Sequence, residues 1–120
     1  MLENFERFTK PGQTFDPKVS IRKRGQLGFN QGFINLFNLT EYDYVVLFIS
    51  NDRNQIALKF TQDPNEQGAI RIAKRKSNYF IGAKNFLDYY QVDYSETRSF
   101  SAKKIEDENA AIIDLQQQAA

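Results

Sequence analysis

The sequence predicts a β-rich α+β fold: two strand–turn–helix–hairpin units that combine about a pseudo-twofold axis into a small barrel or sheet with two short helices. Three observations predict it. Val19 and Ile21 alternate with Ser20 and Arg22, and later Ile70 and Ile72 alternate with Arg71 and Ala73, the period-two signature of half-buried strands. Beyond each stretch, apolar residues recur at helical spacing: Phe33, Ile34, Leu36, Phe37, and then Phe86, Leu87, Tyr89, Tyr90. After each helix come two short apolar runs separated by a polar turn, which reads as a hairpin.

The elements follow in order. Residues 1–18 form an arm broken by Pro11-Gly12 and Pro17, with a helical turn over Glu3–Thr9. Its rings Phe5, Phe8 and Phe15 are expected to tack it onto the body. One domain over 19–115 contains the two repeats, 19–60 and 69–115. In the first, a strand at Val19 breaks at Gly25, and Asn30 caps a helix near 31–38. Tyr44 to Ile49 is apolar on both faces and reads as a central strand. The turn Asn51-Asp52-Arg53-Asn54 joins it to Ile56, Leu58 and Phe60. Asp63 to Gly68 is a polar linker. In the second repeat, a break at Ser77-Asn78 precedes a helix near 83–91, a strand over 98–105, a turn at 106–109 and a strand over 111–115. Residues 116–120 read as a frayed tail. Aligned on their helices, the copies differ by two extra residues in the second copy's turn.

Composition narrows the chemistry. At 120 residues, 41% hydrophobic and 14% aromatic, one domain with a real core is expected. Without Cys there are no disulfides, thiolate sites or thiol nucleophiles, and without His the commonest general base and metal ligand are missing. No apolar run approaches the ~20 residues that span a bilayer, and Met1–Glu6 lacks the basic start and apolar stretch of a signal peptide. The expectation is a cytoplasmic protein that is not an enzyme, with no catalytic residues, no metal, no cofactor and no membrane partner. With 16 basic and 15 acidic residues, net charge points to no partner, so the positions of the charges must carry the argument.

Those positions single out Arg22-Lys23-Arg24 and Lys74-Arg75-Lys76, three consecutive cations where a strand enters a turn, twice. Alternation turns Arg22 and Arg24 away from Val19 and Ile21, toward solvent. Cations fixed at a loop mouth suit phosphate, through counterion release and the Arg fork. Two sets about a pseudo-dyad suit a duplex of matching symmetry. The plain alternative is a solvated strand end paired with Glu41, Asp88 or Glu96. Phe29, Tyr79 and Phe80 stand beside these clusters, where rings either stack on bases or staple the helix to the core; Tyr79 is the ring expected to be exposed. The acidic runs at Asp43 and at Asp93–Glu96 match no calcium-loop spacing. Gly25, Gly28 and Gly32 form no phosphate-binding glycine motif and are read as easing a tight turn.

Val19-Ser20-Ile21-Arg22-Lys23-Arg24-Gly25-Gln26-Leu27-Gly28, a short helix ending Leu36-Phe37-Asn38-Leu39, and a hairpin together resemble the swapped-hairpin DNA-binding element of the AbrB, SpoVT and MazE-type family; a chain with two copies resembles the MraZ type. The resemblance covers 19–60 closely and 69–115 loosely. It implies a β-rich pseudo-dimer whose Arg22, Lys23 and Arg24 contact DNA. The chain departs from it in having Phe29-Asn30 where the family carries proline, and no glycine in its second turn. A rival resemblance is to Whirly-like or coactivator-like single-strand-binding folds, which carry long curved strands. The expected function is nucleic-acid binding, duplex DNA favoured, in transcription regulation, through Arg22, Lys23, Arg24, Lys74, Arg75, Lys76 and Tyr79. The alternative is a protein-interaction module of the antitoxin, phage-accessory or adaptor type, or a homo-oligomer, with no nucleic-acid activity. A carboxylate–metal enzyme is the third and weakest reading.

Overall fold

The structure is a computed structural model that describes residues 2–7, 16–76, 78–105 and 108–119. Strand β1 (Lys18–Arg22) turns tightly into β2 (Gln26–Phe29), pairing Val19 with Phe29 and Ile21 with Leu27 on the buried face. Gly25 closes that turn at φ 81°, donating its N–H to Arg22 O at 2.9 Å. Asn30 Oδ1 accepts the N–H groups of Phe33 and Lys18, both at 2.9 Å, so one cap starts helix α1 (Gln31–Phe37) and ties it to β1. The helix buries Phe33, Ile34 and Phe37 and ends at Asn38 in the left-handed region. A 3₁₀ turn (Leu39–Glu41) leads to the hairpin of β3 (Tyr44–Ile49) and β4 (Gln55–Thr61).

Short strands β5 (Ile70–Arg71) and β6 (Ala73–Arg75) flank Ile72, and β7 (Asn78–Gly82), helix α2 (Lys84–Tyr89), β8 (Arg98–Ile105) and β9 (Ala110–Gln118) follow. All pairings are antiparallel, in the order β5-β3-β4-β9-β8-β1-β2-β7-β6. Since β5 and β6 are one continuous stretch of chain, the two ends of the sheet meet there, and the nine strands form a nearly closed, barrel-like sheet. Closure leaves few unpaired strand edges. Inside lie Ile21, Leu27, Leu58, Ile81, Phe100 and Ile113, none with measurable exposure. Each such side chain contributes about 1.5–3 kcal/mol by leaving water. Phe29, Phe33, Phe37 and Phe60 meet ring against ring, at centroid distances of 4.4 to 6.3 Å, where α1 closes on the core.

Several expectations change. The segments 26–29 and 78–82 are full strands that lead into α1 and α2. Gly28, which weakens any strand reading of the sequence, is what hid β2. The Tyr44–Ile49 strand is not buried on both faces, because Phe48 is 49% exposed. Phe5 does not hold the arm to the body, being 73% exposed; Phe8 and Phe15 lie outside the described residues. The final segment is not a frayed tail up to Gln118, since β9 continues to that residue and Ala119 N–H reaches Ser99 O at 2.7 Å. No helix among the described residues is long and apolar enough to cross a membrane.

Candidate nucleic-acid interface

The outer face of β8-β1-β2-β7-β6 is defined by register. Because Val19, Ile21, Leu27, Phe29 and Ile81 point inward, their neighbours point out. Ser99, Ser20, Gly28, Phe80 and Ala73 therefore form one row across the five strands. Ser20 and Ser99 hydroxyls hydrogen-bond at 2.7 Å within it. Arg22 and Arg75 share this face and converge on one ring: their guanidinium carbons lie 5.7 and 5.6 Å from the Phe80 centroid.

Arg22 is held there by its surroundings. Its Nη2 donates to Asn78 Oδ1 at 3.0 Å and its Nη1 to Gln26 Oε1 at 3.4 Å. The guanidinium lies over Gly28, and a Cβ there would meet Nη2 at 2.2 Å. The missing side chain at Gly28 is thus the seat of Arg22. Among the described residues neither Arg22 nor Arg75 has a carboxylate partner. The strands of this face contain Lys18, Arg22, Lys74, Arg75, Arg98, Lys103 and Lys104 and no Asp or Glu.

The other expected site residues separate. Lys74 belongs to the inward-facing register with Tyr79 and is paired: its ammonium lies 3.2 Å from Asp43 Oδ1 and donates to Thr40 O at 3.2 Å. Tyr79 packs against the core, so the outward ring is Phe80. Lys23 lines an open hollow of about 430 Å³ with Asp88, Asp93 and Tyr94, away from the Phe80 row. Arg24 borders a shallow cavity with Gln26, Gly82 and Lys84, which extends the cationic surface past the turn. Lys76 is exposed at the tip of the β6–β7 turn with φ 49°. Sequence reading missed Phe80's orientation, Asn78 and the role of Gly28. The alternation in Asn78-Tyr79-Phe80-Ile81 carries that information once the segment is taken as a strand.

Beside the hollow, Asp88 accepts from Lys84 at 2.7 Å and from the Tyr94 hydroxyl at 2.6 Å, and these bonds hold its carboxyl below the usual range. The same Asp88 bond holds Lys84 above its ordinary value. Asp93 is lowered by the Ser95 backbone N–H. These are exposed pairs that shape loops. Among the described residues there is no cluster of three or more carboxylates that could hold a metal ion.

No known family model matches the chain, and no solved structure matches it. It is similar to bombesin from Bombina orientalis, with 28% identity over 89 residues. That stretch covers 70% of this chain and 66% of the other protein.

Proposed function

We propose that this chain binds nucleic acid through the outer face of β8-β1-β2-β7-β6. The observation that carries the reading is the convergence of Arg22 and Arg75, distant in sequence, on Phe80, in a run of strands without a carboxylate. Guanidinium groups without an acidic partner are free to fork onto phosphate, and clustering them raises the local potential that draws a polyanion.

The reading includes a duplicated architecture. The pairings support it: β2 pairs β7, β4 pairs β9, and the matched edges β1–β8 and β5–β3 complete the ring. Ile21 then corresponds to Ile72, Leu27 to Ile81 and Gly28 to Gly82. Gly25 and Lys76, at the two basic turns, both have positive φ. By the same correspondence Lys23 matches Lys74 and Arg24 matches Arg75, while Arg22 matches Ala73, so the pair over Phe80 is not itself a symmetric pair.

The test is fluorescence anisotropy with labelled DNA of about 20 nucleotides, single- and double-stranded, at low and moderate salt. Arg22→Gln with Arg75→Gln should weaken binding at least tenfold and lower the salt slope by about 0.7–0.9 for each phosphate no longer engaged. Wild-type affinity in the double variant, or no binding of either probe at low salt, refutes the reading. A second reading, a protein-docking surface, draws on the half-exposed Phe48 in register with Ala57 and Ile112 on the outer face of β3, β4 and β9. It predicts that Phe48→Ser abolishes recovery of a partner and leaves oligonucleotide affinity unchanged.

A further inference from the structure

We infer that the ligand is single-stranded, with one unpaired base stacking on Phe80 while Arg22 and Arg75 hold the flanking phosphates. This rests on the nucleic-acid reading and names its substrate class. The sequence pattern favoured a duplex; the position of the ring favours unpaired bases.

Phe80 is an aromatic side chain on the outer face of an interior strand, between two guanidinium groups. Core packing does not require it there, since Ile81 and Tyr79 supply the inward contacts of β7. Its cross-strand neighbours are Gly28 on one side and Ala73 on the other. Gly82, two residues along the same strand face, has nothing within 4 Å of where a Cβ would stand. The strand neighbours of the ring are therefore small, and what lies beside it above Gly28 is the Arg22 guanidinium, which a stacking base would displace from the ring toward a phosphate. Inside a duplex the faces of the bases are covered by their neighbours. A ring carried on a strand within a sheet, not on a projecting loop or helix, cannot reach between them. A splayed single strand presents base faces and phosphates together, and a sheet with one ring flanked by cations matches both. The flanking Ser20, Ser99, Gln26 and Asn78 supply hydrogen-bonding groups of either polarity with no fixed base pattern, which fits weak sequence preference.

The chain has no tryptophan, so Phe80→Trp installs a single indole at the proposed stack. Titration with oligo(dT) and oligo(rU) of about 12 nucleotides should quench that indole, and the same chain annealed to its complement should quench it far less at equal phosphate concentration. In parallel, anisotropy should show the single strand bound at least tenfold more tightly than the duplex. Phe80→Leu keeps an apolar side chain and removes the ring. It should lose about tenfold for single strands, with duplex affinity and melting temperature nearly unchanged. Equal quenching by duplex, or Phe80→Leu binding single strands as wild type does, overturns the inference while leaving nucleic-acid binding standing. Loss of all binding in wild type overturns both. The DNA and RNA arms separate the two sugars that the same stacking chemistry accepts.

Discussion

Replacing Gly25 by alanine tests whether the first basic turn is positioned by α2. Gly25 has φ 81°, which costs a residue with a Cβ about 1–2 kcal/mol. The new Cβ would stand 2.9 Å from Lys84 Cβ and 3.1 Å from Lys84 Cα. The second of these atoms is helix backbone and cannot swing away. Relief requires the turn to back off from α2, which stretches the 2.8 Å bond from Ala83 N–H to Gly25 O and forfeits about 1 kcal/mol more. The total is about 2–3 kcal/mol, from the left-handed backbone cost together with the lost hydrogen bond. At about 3–5 °C per kcal/mol for a domain of this size, melting should fall by about 6–15 °C. Thermal unfolding followed by far-ultraviolet circular dichroism reads this directly. Gly82→Ala is the control, because that position has ordinary φ and open space, and it should shift melting by no more than about 2 °C. A Gly25→Ala protein that melts with wild type, or a Gly82→Ala protein that falls as far, refutes the reasoning.

Two other substitutions probe the same surface. Gly28→Ala should evict the Arg22 guanidinium from its seat, since the obstructing atoms are the far end of a flexible side chain; oligonucleotide affinity should drop several-fold with melting changed by less than about 3 °C, as expected for a substitution that leaves the core intact. Asp88 titrates below the ordinary carboxylate value of 3.8 because Lys84 and Tyr94 bond its charged form. The stabilisation is therefore fully present above that value and is lost as pH falls through the lower, folded one. Carboxyl carbon NMR should give a midpoint under 3.8, moving upward in Lys84→Met, and a midpoint at or above 3.8 in wild type would show that the pair does not persist in solution.

What was legible in the sequence was whatever period carried. Val19 and Ile21, the helical spacing of Phe33, Ile34 and Phe37, and the β3–β4 hairpin all declare themselves through residues that repeat on one face. The strands β2 and β7 did not, because each is short and contains glycine, and each draws its strand character from partners far away in sequence. Missing them hid the orientation of Asn78, Tyr79 and Phe80, although the alternation in β1 had already turned Arg22 outward. The cations of the first cluster were legible as a group but not as a geometry: Arg22 lies along the sheet, Lys23 turns toward Asp88 and Asp93, and Arg24 borders the α2 side. A strand entering a turn rotates consecutive side chains to different surfaces, so adjacency in sequence did not mean a shared patch. The pair that does share one, Arg22 and Arg75, comes from different clusters joined through β2 and β7.

Stability alone does not call for the segregation of charge on this sheet, and the proposed ligand would. Although the chain is nearly neutral, acids are not interleaved with the cations along these strands, in part because Asp has low strand propensity. Asp114 in β9 is the carboxylate found within the described strands, while Asp43, Asp52, Asp63, Asp88 and Asp93 stand in loops or on α2. Cations brought together on one face repel, and within a Debye length of about 8 Å at physiological salt that repulsion is only partly screened. Interleaved acids would remove it and add cross-strand pairs worth about 0.2–1 kcal/mol each. Arg22 and Arg75 forgo that gain and meet over a ring, with neutral amides steadying Arg22; these groups orient a guanidinium without cancelling its charge. A polyanion on this face would relieve the repulsion. Protein stability should therefore rise with added oligonucleotide and, in its absence, rise with salt; a melting temperature that falls between low and moderate salt would mean that this face carries no net repulsion for a ligand to relieve.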